Sequence, residues 1–522
     1  MKNLLSKTLV LFALVYFSTI MISCKNTKEI ATKRPADNQE ITFQILQVND
    51  VYEIAPLEGG KVGGMARVAT LFKQLKKENP NTLLVMAGDF LNPSLIGTMK
   101  LNGERIRGRQ MVEVMNAMHF DLVAFGNHEF DLKYKDLQKR LNESQFDWLL
   151  GNALHKKAGE TKPFYKMVDG NEVAIPKTKI IELTDGDGTT IKIGFFSEIV
   201  DSNPKDYVVY QDPFEQAKVD YNNLKNKTDI VFGLTHLIKE DDLKIAEMLP
   251  EVPLIIGGHE HYNMYLSAST GGKVAKADAN ARTAYLHQIS YNTYTKKYIL
   301  RSKLLVIDDK IVDDPEIKTI VEKWQKILME RVKTVSADPQ AVTLNSATPL
   351  DAREKSIRHH QTNFGQLVAE AMLYVSKNNA EIALLNSGSI RIDDQISGNI
   401  VALDWFRAMP FGGSIYDVEI KGDLLKKVLD YGEAHQGKGS YLQRSKNIVR
   451  ADDGQWFING VYLDERKTYK MITSDYLMKG FDIPMLKEGV DGIVSVDKPE
   501  KSENDYRNDI RQAVIKYLQS KK

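Results

Sequence analysis

The chain is short of several things, and each shortage excludes something. It has 522 residues but a single cysteine, Cys24, so no intrachain disulfide can form. It has no excess of one charge: Lys+Arg 70 stand against Asp+Glu 69, a net charge of +1. That balance argues against a nucleic-acid partner, which calls for a clear basic surplus. It leaves room for small anionic ligands, which need only a few local cations. Past residue 40 no apolar run is long enough to span a bilayer, and there is no internal repeat or low-complexity tract. What remains is an ordinary globular composition, 43% hydrophobic and 27% charged, in a chain too long for one core. Two or three domains are expected.

The lone cysteine sits at an informative place. Lys2 and Lys7 form a positive start, and Leu9 to Ile22 is a mostly apolar run of signal-peptide length. Met21-Ile22-Ser23-Cys24 resembles a relaxed bacterial lipobox, with Met21 where Leu is commoner. The expectation is cleavage after residue 23, lipid on the Cys24 thiol, and a polar tether over 24–40. That places the protein in a bacterial cell envelope, periplasmic or at the cell surface, touching membrane only through its anchor. A plain secretory peptide and an uncleaved anchor are the alternatives.

Strand and helix patterns then alternate. Apolar runs predict strands at Ile41–Val48, Asn81–Ala87, Asp121–Ala124, Ile191–Phe196, Asp229–Leu234 and Val252–Ile256. Helical spacing predicts helices at Met65–Lys77, Gln110–Met118, Leu132–Leu141, Pro213–Asn226 and Asp241–Met248. Met111, Met115 and Met118 fall on one helical face and read as core. Asp185-Gly186-Asp187-Gly188 starts like a calcium loop, but Thr189 and the missing later Glu favour a hairpin turn. A charged amphipathic helix over Pro315–Lys333 connects to a second βα pattern, with strands at Ile382–Leu385, Ile415–Ile420 and Tyr469–Ile472. The fold class is α/β, with the chain divided at 41–312, a linker helix over 313–338, and 339–522.

Five predicted strands end in residues that bind hard cations: Asp50, Asp89, Asn127, His236, and the pair His259 and His261. Ligands gather at the carboxyl ends of strands in open α/β sheets. Asn supplies a neutral oxygen, and His a nitrogen ligand or a proton. His128 follows Asn127, and Asp131 stands three residues on, where it can hold the imidazole in one tautomer. Gly257-Gly258 allows the chain to bend so that His259 and His261 can face one site.

These blocks, Asn49-Asp50, Gly88-Asp89, Gly126-Asn127-His128-Glu129, Thr235-His236 and Gly257-Gly258-His259-Glu260-His261, resemble those of the calcineurin-like metallophosphoesterases. The second half narrows the resemblance to the 5′-nucleotidase family. It does so through Arg358, Thr362-Asn363-Phe364-Gly365, Leu385-Asn386-Ser387-Gly388-Ser389-Ile390-Arg391, Met409-Pro410-Phe411-Gly412-Gly413 and Ser474-Asp475-Tyr476-Leu477-Met478-Lys479-Gly480-Phe481-Asp482. The resemblance implies a four-layer α/β/β/α metallophosphoesterase sandwich followed by a smaller α/β substrate-binding domain. It implies two divalent cations, with zinc, manganese and cobalt the candidates. Asp89 would bridge them, Asn127, His236 and His259 would complete one site, and Asp50 and His261 would belong to the other. His128, oriented by Asp131, would serve the leaving oxygen, and no protein nucleophile is needed. Phe411 and Tyr476 would stack the base, Arg358, Asn386 and Arg391 would reach phosphate and sugar, and Asp482 the ribose hydroxyls.

The pattern departs from the family in four places. Tyr52 stands where the family has His, Gln361 where Glu is usual, and Ser387 and Ser389 where glycines are common; the Gly-Gly-Asp-Gly block is reduced to Gly480-Phe481-Asp482-Ile483. The expected activity is hydrolysis of nucleoside 5′-monophosphates outside the cytoplasm. Nucleotide-sugars, dinucleotides or 2′,3′-cyclic nucleotides are alternative substrates for such a site. A nucleotide-binding lipoprotein with a weakened metal site is the alternative from another class.

Overall fold

The computed structural model describes residues 39–521, apart from 158, 203–204, 334–335 and 503. The leader, most of the tether and Cys24 lie outside the described residues. The first domain is built on two six-stranded sheets. In the first, Glu40–Val48, Thr82–Ala87, Leu122–Ala124 and Asp147–Leu149 run parallel, and the hairpin Thr283–Asn292/Tyr298–Val306 adds antiparallel to the free side of Glu40–Val48. In the second, Thr190–Phe196, Ile230–Leu234, Leu254–Gly257 and Lys273–Lys276 are parallel. Thr178–Thr184 and Met264–Ser267 close its edges antiparallel.

Successive side chains of a strand face opposite ways, and here both ways are buried. Ile41, Phe43 and Ile45, with Leu83, Val85 and Ala87, meet Ile193, Phe232, Leu254 and Ile256 between the sheets. Leu46, Val48, Leu84 and Met86 face the outer helices instead. That double burial is why these strands read as unbroken apolar runs. Each such large side chain contributes roughly 1.5–3 kcal/mol.

Helices Met65–Glu78, Arg109–Met118, Tyr134–Glu143 and Pro315–Val332 cover the first sheet. Pro213–Leu224 and Lys239–Met248 cover the second, so the order is α/β/β/α. Met111, Met115 and Met118 are core, as their spacing predicts. Asp185–Thr189 is the turn of the hairpin joining Thr178–Thr184 to Thr190–Phe196, with Asp185 Oδ1 accepting three backbone N–H groups. The helix expected from Leu132 starts at Tyr134, because a 3₁₀ turn over Asn127–Asp131 comes first.

The helix Pro315–Val332 is started by Asp314, whose side chain accepts from Ile317, with Pro315 preset for the first turn. Ile317, Val321, Trp324, Leu328 and Val332 are all buried in the first domain's outer core. Trp324 Nε1 donates to Glu113 at 3.0 Å. The linker helix is therefore packed as part of the first domain's outer layer.

The second domain has a five-stranded sheet in the order Leu442–Arg444, Ile382–Asn386, Thr468–Ser474, Ile415–Lys421, Ile493–Asp497. Asn363–Tyr374, Ala402–Ala408 and Ile510–Gln519 pack on one face and Gly422–Ala434 on the other. Leu403 and Phe406 of Ala402–Ala408 also enter the first domain's core, which ties the two halves together. Among the described residues no helix is long and apolar enough to cross a membrane.

Candidate metal centre and substrate face

The chain brings its strand ends to one mouth, and it does so against backbone preference. Asp50, Asp89, His259 and His261 all have left-handed φ, at 52°, 58°, 92° and 64°. Such non-glycine conformations cost about 1–3 kcal/mol each and cluster at functional sites. The glycines beside them are there for close approach. A Cβ on Gly126 would lie 2.1 Å from Asp89 Oδ1, and one on Gly258 2.3 Å from the Ala87 carbonyl.

Inside the mouth His236 Nε2 lies 3.1 Å from Asp89 Oδ2 and 3.7 Å from Asp50 Oδ1. His261 Nε2 is 3.3 Å from Asp50 Oδ1. His259 Nδ1 is 3.1 Å from Asn127 Oδ1, and its backbone N–H donates to Asp50 Oδ2. Thus all six sequence-predicted ligands converge. His236 pairs Nδ1 with the Ala87 carbonyl at 2.7 Å, which leaves Nε2 facing the acids.

These residues fit a divalent cation. Asp50 Oδ1 and His236 Nε2 are buried with ionic neighbours at 3.1–3.7 Å but no well-aligned hydrogen bond, and buried polar atoms held this way are costly unless something else binds them. Ligand atoms of Asp50, Asp89 and His261 lie within 4.8 Å of one another. Tetrahedral ligands at about 2.1 Å from an ion stand roughly 3.4 Å apart, close to the separations here.

The electrostatics agree. Burial disfavours a charged His236, but Asp89 and Asp50 outweigh it and raise the group to about 9. Burial, then the charge of His236, lowers His259 to about 3. Burial opposes ionised Asp89, yet His236 and His128 hold it well below the usual carboxylate range. Tyr52 stands inside the site, its hydroxyl 3.1 Å from Asp89 Oδ2 and 3.0 Å from His261 Nε2. Burial, then Asp89 and Asp50, pushes its phenol far up, so it stays neutral.

His128 Nδ1 lies 2.7 Å from Asp131 Oδ2, the pairing expected from their spacing. Burial works against a charged His128, and Asp89 and Asp131 overcome it to raise the group. Arg391 of the second domain places Nη2 3.3 Å from His128 Nδ1 and 3.5 Å from Asp131 Oδ2. Lys205 lies 3.5 Å from the same carboxylate. Two cationic side chains thus flank the His128–Asp131 pair.

The other residues expected to touch substrate are only partly gathered. Asn386 Nδ2 donates to Asp482 at 2.8 Å, and the Tyr476 hydroxyl to Asp482 at 3.0 Å, one small network. Arg358 is ion-paired to Glu354 at 2.7 Å. Phe411 and Tyr476 are 54% and 39% exposed. Their loops run side by side, with Asp475 N–H donating to the Ser414 carbonyl. Tyr476 faces Phe481, ring centroids 5.6 Å apart. Between the domains a cavity of about 870 Å³ is bordered by Tyr52, Arg282, Arg391 and Arg407. Phe411 lines a different cleft, with Arg105, Arg107, Arg331 and Arg511.

Two residues at the site escaped the sequence reading. Glu129 is fully buried and accepts the backbone N–H groups of Asp89, Phe90, Leu91 and Gly126, splicing two ligand loops together. Burial and the charge of Asp89 raise its pKa to about 7 against the backbone donors of Leu91, Phe90 and Gly126. Its place inside Asn127-His128-Glu129 was the available signal. Asp393 lies 2.5 Å from His261 Nδ1 and comes from the other domain, so nothing local announced it.

Comparison with known proteins fits this geometry. The family model of the calcineurin-like phosphoesterases matches residues 43–263, and that of the 5′-nucleotidase C-terminal domain matches 341–488. The chain belongs to the 5′-nucleotidase family. It is a phosphoric ester hydrolase. It is 28% identical over 417 residues to the 5′-nucleotidase of Bos taurus, covering 73% of this chain and 69% of that one. It is 26% identical over 503 residues to the snake venom 5′-nucleotidase of Naja atra, covering 84% and 90%. Among solved structures, a 5′-nucleotidase precursor from Thermus thermophilus superposes with TM-score 0.67 at 21% identity, over 92% of this chain and 97% of that one. A sulfate thiohydrolase of Thermus thermophilus superposes with TM-score 0.62 at 15% identity, over 91% and 94%. Fold alone therefore does not select the ester, and substrate must be argued from the site.

Proposed function

We propose that the protein hydrolyses nucleoside 5′-monophosphates to nucleoside and phosphate, using two divalent cations, outside the cytoplasm and tethered by lipid on Cys24. The observation that carries this reading is the meeting of the Asp50, Asp89, His236 and His261 cluster with Arg391, which arrives from the second domain beside His128. Asp89 with Asn127, His236 and His259 would hold one cation, and Asp89 with Asp50 and His261 the other. Bound there, the cations would polarise the phosphoryl oxygens and supply a nucleophilic water at neutral pH.

The chain's own groups do the rest. Arg391 offers a guanidinium to the phosphate. His128, held through Nδ1 by Asp131, presents Nε2 to the leaving 5′ oxygen as a proton donor, and its raised pKa favours the protonated form. The exposed rings of Phe411 and Tyr476 offer stacking faces for the base, worth roughly 1–3 kcal/mol. Asp482, hydrogen-bonded to Asn386 and Tyr476, would accept from the ribose hydroxyls.

The test is turnover with added manganese, cobalt or zinc of AMP, UDP-glucose, a dinucleotide and a 2′,3′-cyclic nucleotide, followed by chromatography of the nucleoside and nucleotide products, since only the AMP reaction frees inorganic phosphate in one step. AMP turnover that needs the metal and exceeds the other substrates is the expected result. Silence on every substrate with every metal would overturn the catalytic reading, and preference for another ester would overturn the substrate.

A further inference from the structure

We propose that Asp393, carried on the second domain, is a positioning residue for the metal centre of the first, so that one of the two cation sites takes its full affinity across the domain interface. This rests on the metal reading above. The Asp393 carboxylate is clamped at both oxygens: Oδ1 accepts the Glu354 backbone N–H at 2.5 Å, and Oδ2 lies 2.5 Å from His261 Nδ1. The other ring nitrogen of His261 points at Asp50 Oδ1, 3.3 Å away. The line Asp393–His261–Asp50 is a carboxylate–imidazole–ligand arrangement, in which the outer carboxylate fixes the tautomer and aim of the inner nitrogen. Its unusual feature is that the outer carboxylate belongs to a different domain.

The loop that carries it is built for that contact. Asp393 is itself left-handed, φ 45°, as is His261, and strained conformations persist only where their surroundings over-determine them. On either side Arg391 reaches Asp131 and Asp394 reaches Arg282, at 3.5 Å and 2.5 Å. Three side chains of one loop thus touch the first domain, and only Asp393 touches one of the six candidate metal ligands. The same ligand needs the help. His261 shares its site with Tyr52, whose neutral phenol is a weak ligand for a divalent cation. The cation there depends heavily on the orientation of His261.

Losing an outer partner of this kind costs about 10–100-fold in metal affinity. The experiment is calorimetric titration of the metal-free full chain with Mn²⁺, for wild type, Asp393→Asn and Asp394→Asn. Asp394→Asn removes the charge from a neighbouring cross-domain ion pair without touching a ligand. Two equivalents in the wild type are expected, with one weakened about 10–100-fold in Asp393→Asn and both unchanged in Asp394→Asn. Two unchanged equivalents in Asp393→Asn overturn the inference and leave the metal reading standing. Equal weakening in Asp394→Asn also overturns it, since domain docking alone would then explain the effect. A wild type that binds no Mn²⁺ overturns the metal reading and the inference with it. Thermal melting of the metal-free variants checks folding; should Asp393→Asn not fold, Asp393→Ser carries the same comparison with the same outcomes.

Discussion

Replacing Lys276 with Met tests what holds the two histidine loops in place. Lys276 is 1% exposed, and its ammonium lies 2.8 Å from Asp242, 2.5 Å from Glu260 and 2.6 Å from the Leu237 carbonyl. Asp242 also takes the Thr235 hydroxyl at 2.7 Å, and Glu260 takes the Lys239 N–H. Thr235 precedes His236, and Glu260 separates His259 from His261, so one buried cation fastens both loops. Unit charges 2.8 Å apart attract by roughly 6 kcal/mol at an effective dielectric of about 20. Desolvation offsets much of that in the wild type. Met keeps the length of the side chain but leaves the buried Asp242 and the largely covered Glu260 carboxylates without their counter-ion. Breaking a buried pair in this way costs about 3–5 kcal/mol. The pH dependence has a definite sign. Burial already raises Asp242 and Glu260 even with Lys276 beside them, and removing the cation raises both further. An acid whose folded pKa lies above its unfolded value binds protons better when folded, so stability falls as pH rises through that window. The deficit of Lys276→Met against wild type should therefore be largest near pH 8 and shrink toward pH 5. Urea unfolding at both pH values measures it. A deficit under about 1 kcal/mol, or one independent of pH, would refute the reasoning.

His128→Ala should keep its bound metal and lose about 10²–10⁴-fold in kcat; full activity would remove His128 from the mechanism. Tyr52→His places an imidazole where the neutral phenol now meets His261 and Asp89, so activity should saturate at lower metal concentration than in wild type, and an unchanged metal dependence would count against a weak site there. Cys24→Ser should give unprocessed precursor or soluble protein on membrane fractionation, whereas wild-type processing and membrane attachment in the variant would defeat the lipid anchor.

The sequence alone determined a good deal. Six of the eight parallel strands were legible because they are buried on two faces, so that runs such as Leu83–Ala87 and Ile230–Leu234 are apolar without interruption; Asp147–Leu149 and Lys273–Lys276, short and each begun by a charged residue, escaped. Ligands placed just past those runs, with glycines beside them, were legible because the turn at a strand end is a local event. The helix start at Pro213 was legible for the same reason, and Asp212 caps it there. The hairpin Thr283–Asn292/Tyr298–Val306 escaped, since polar residues such as His287, Gln288, Arg301 and Lys303 interrupt the apolar runs of both strands and much of the second is exposed. Tertiary structure alone decided how distant groups meet: Lys276 with Asp242 and Glu260, Tyr52 with His261 and Asp89, Arg391 with His128, and Asp393 with His261. Periodicity and capping are written within a few residues of chain. The partner of a charged side chain is set by how whole sheets stack and how two domains dock, and no local pattern carries that information.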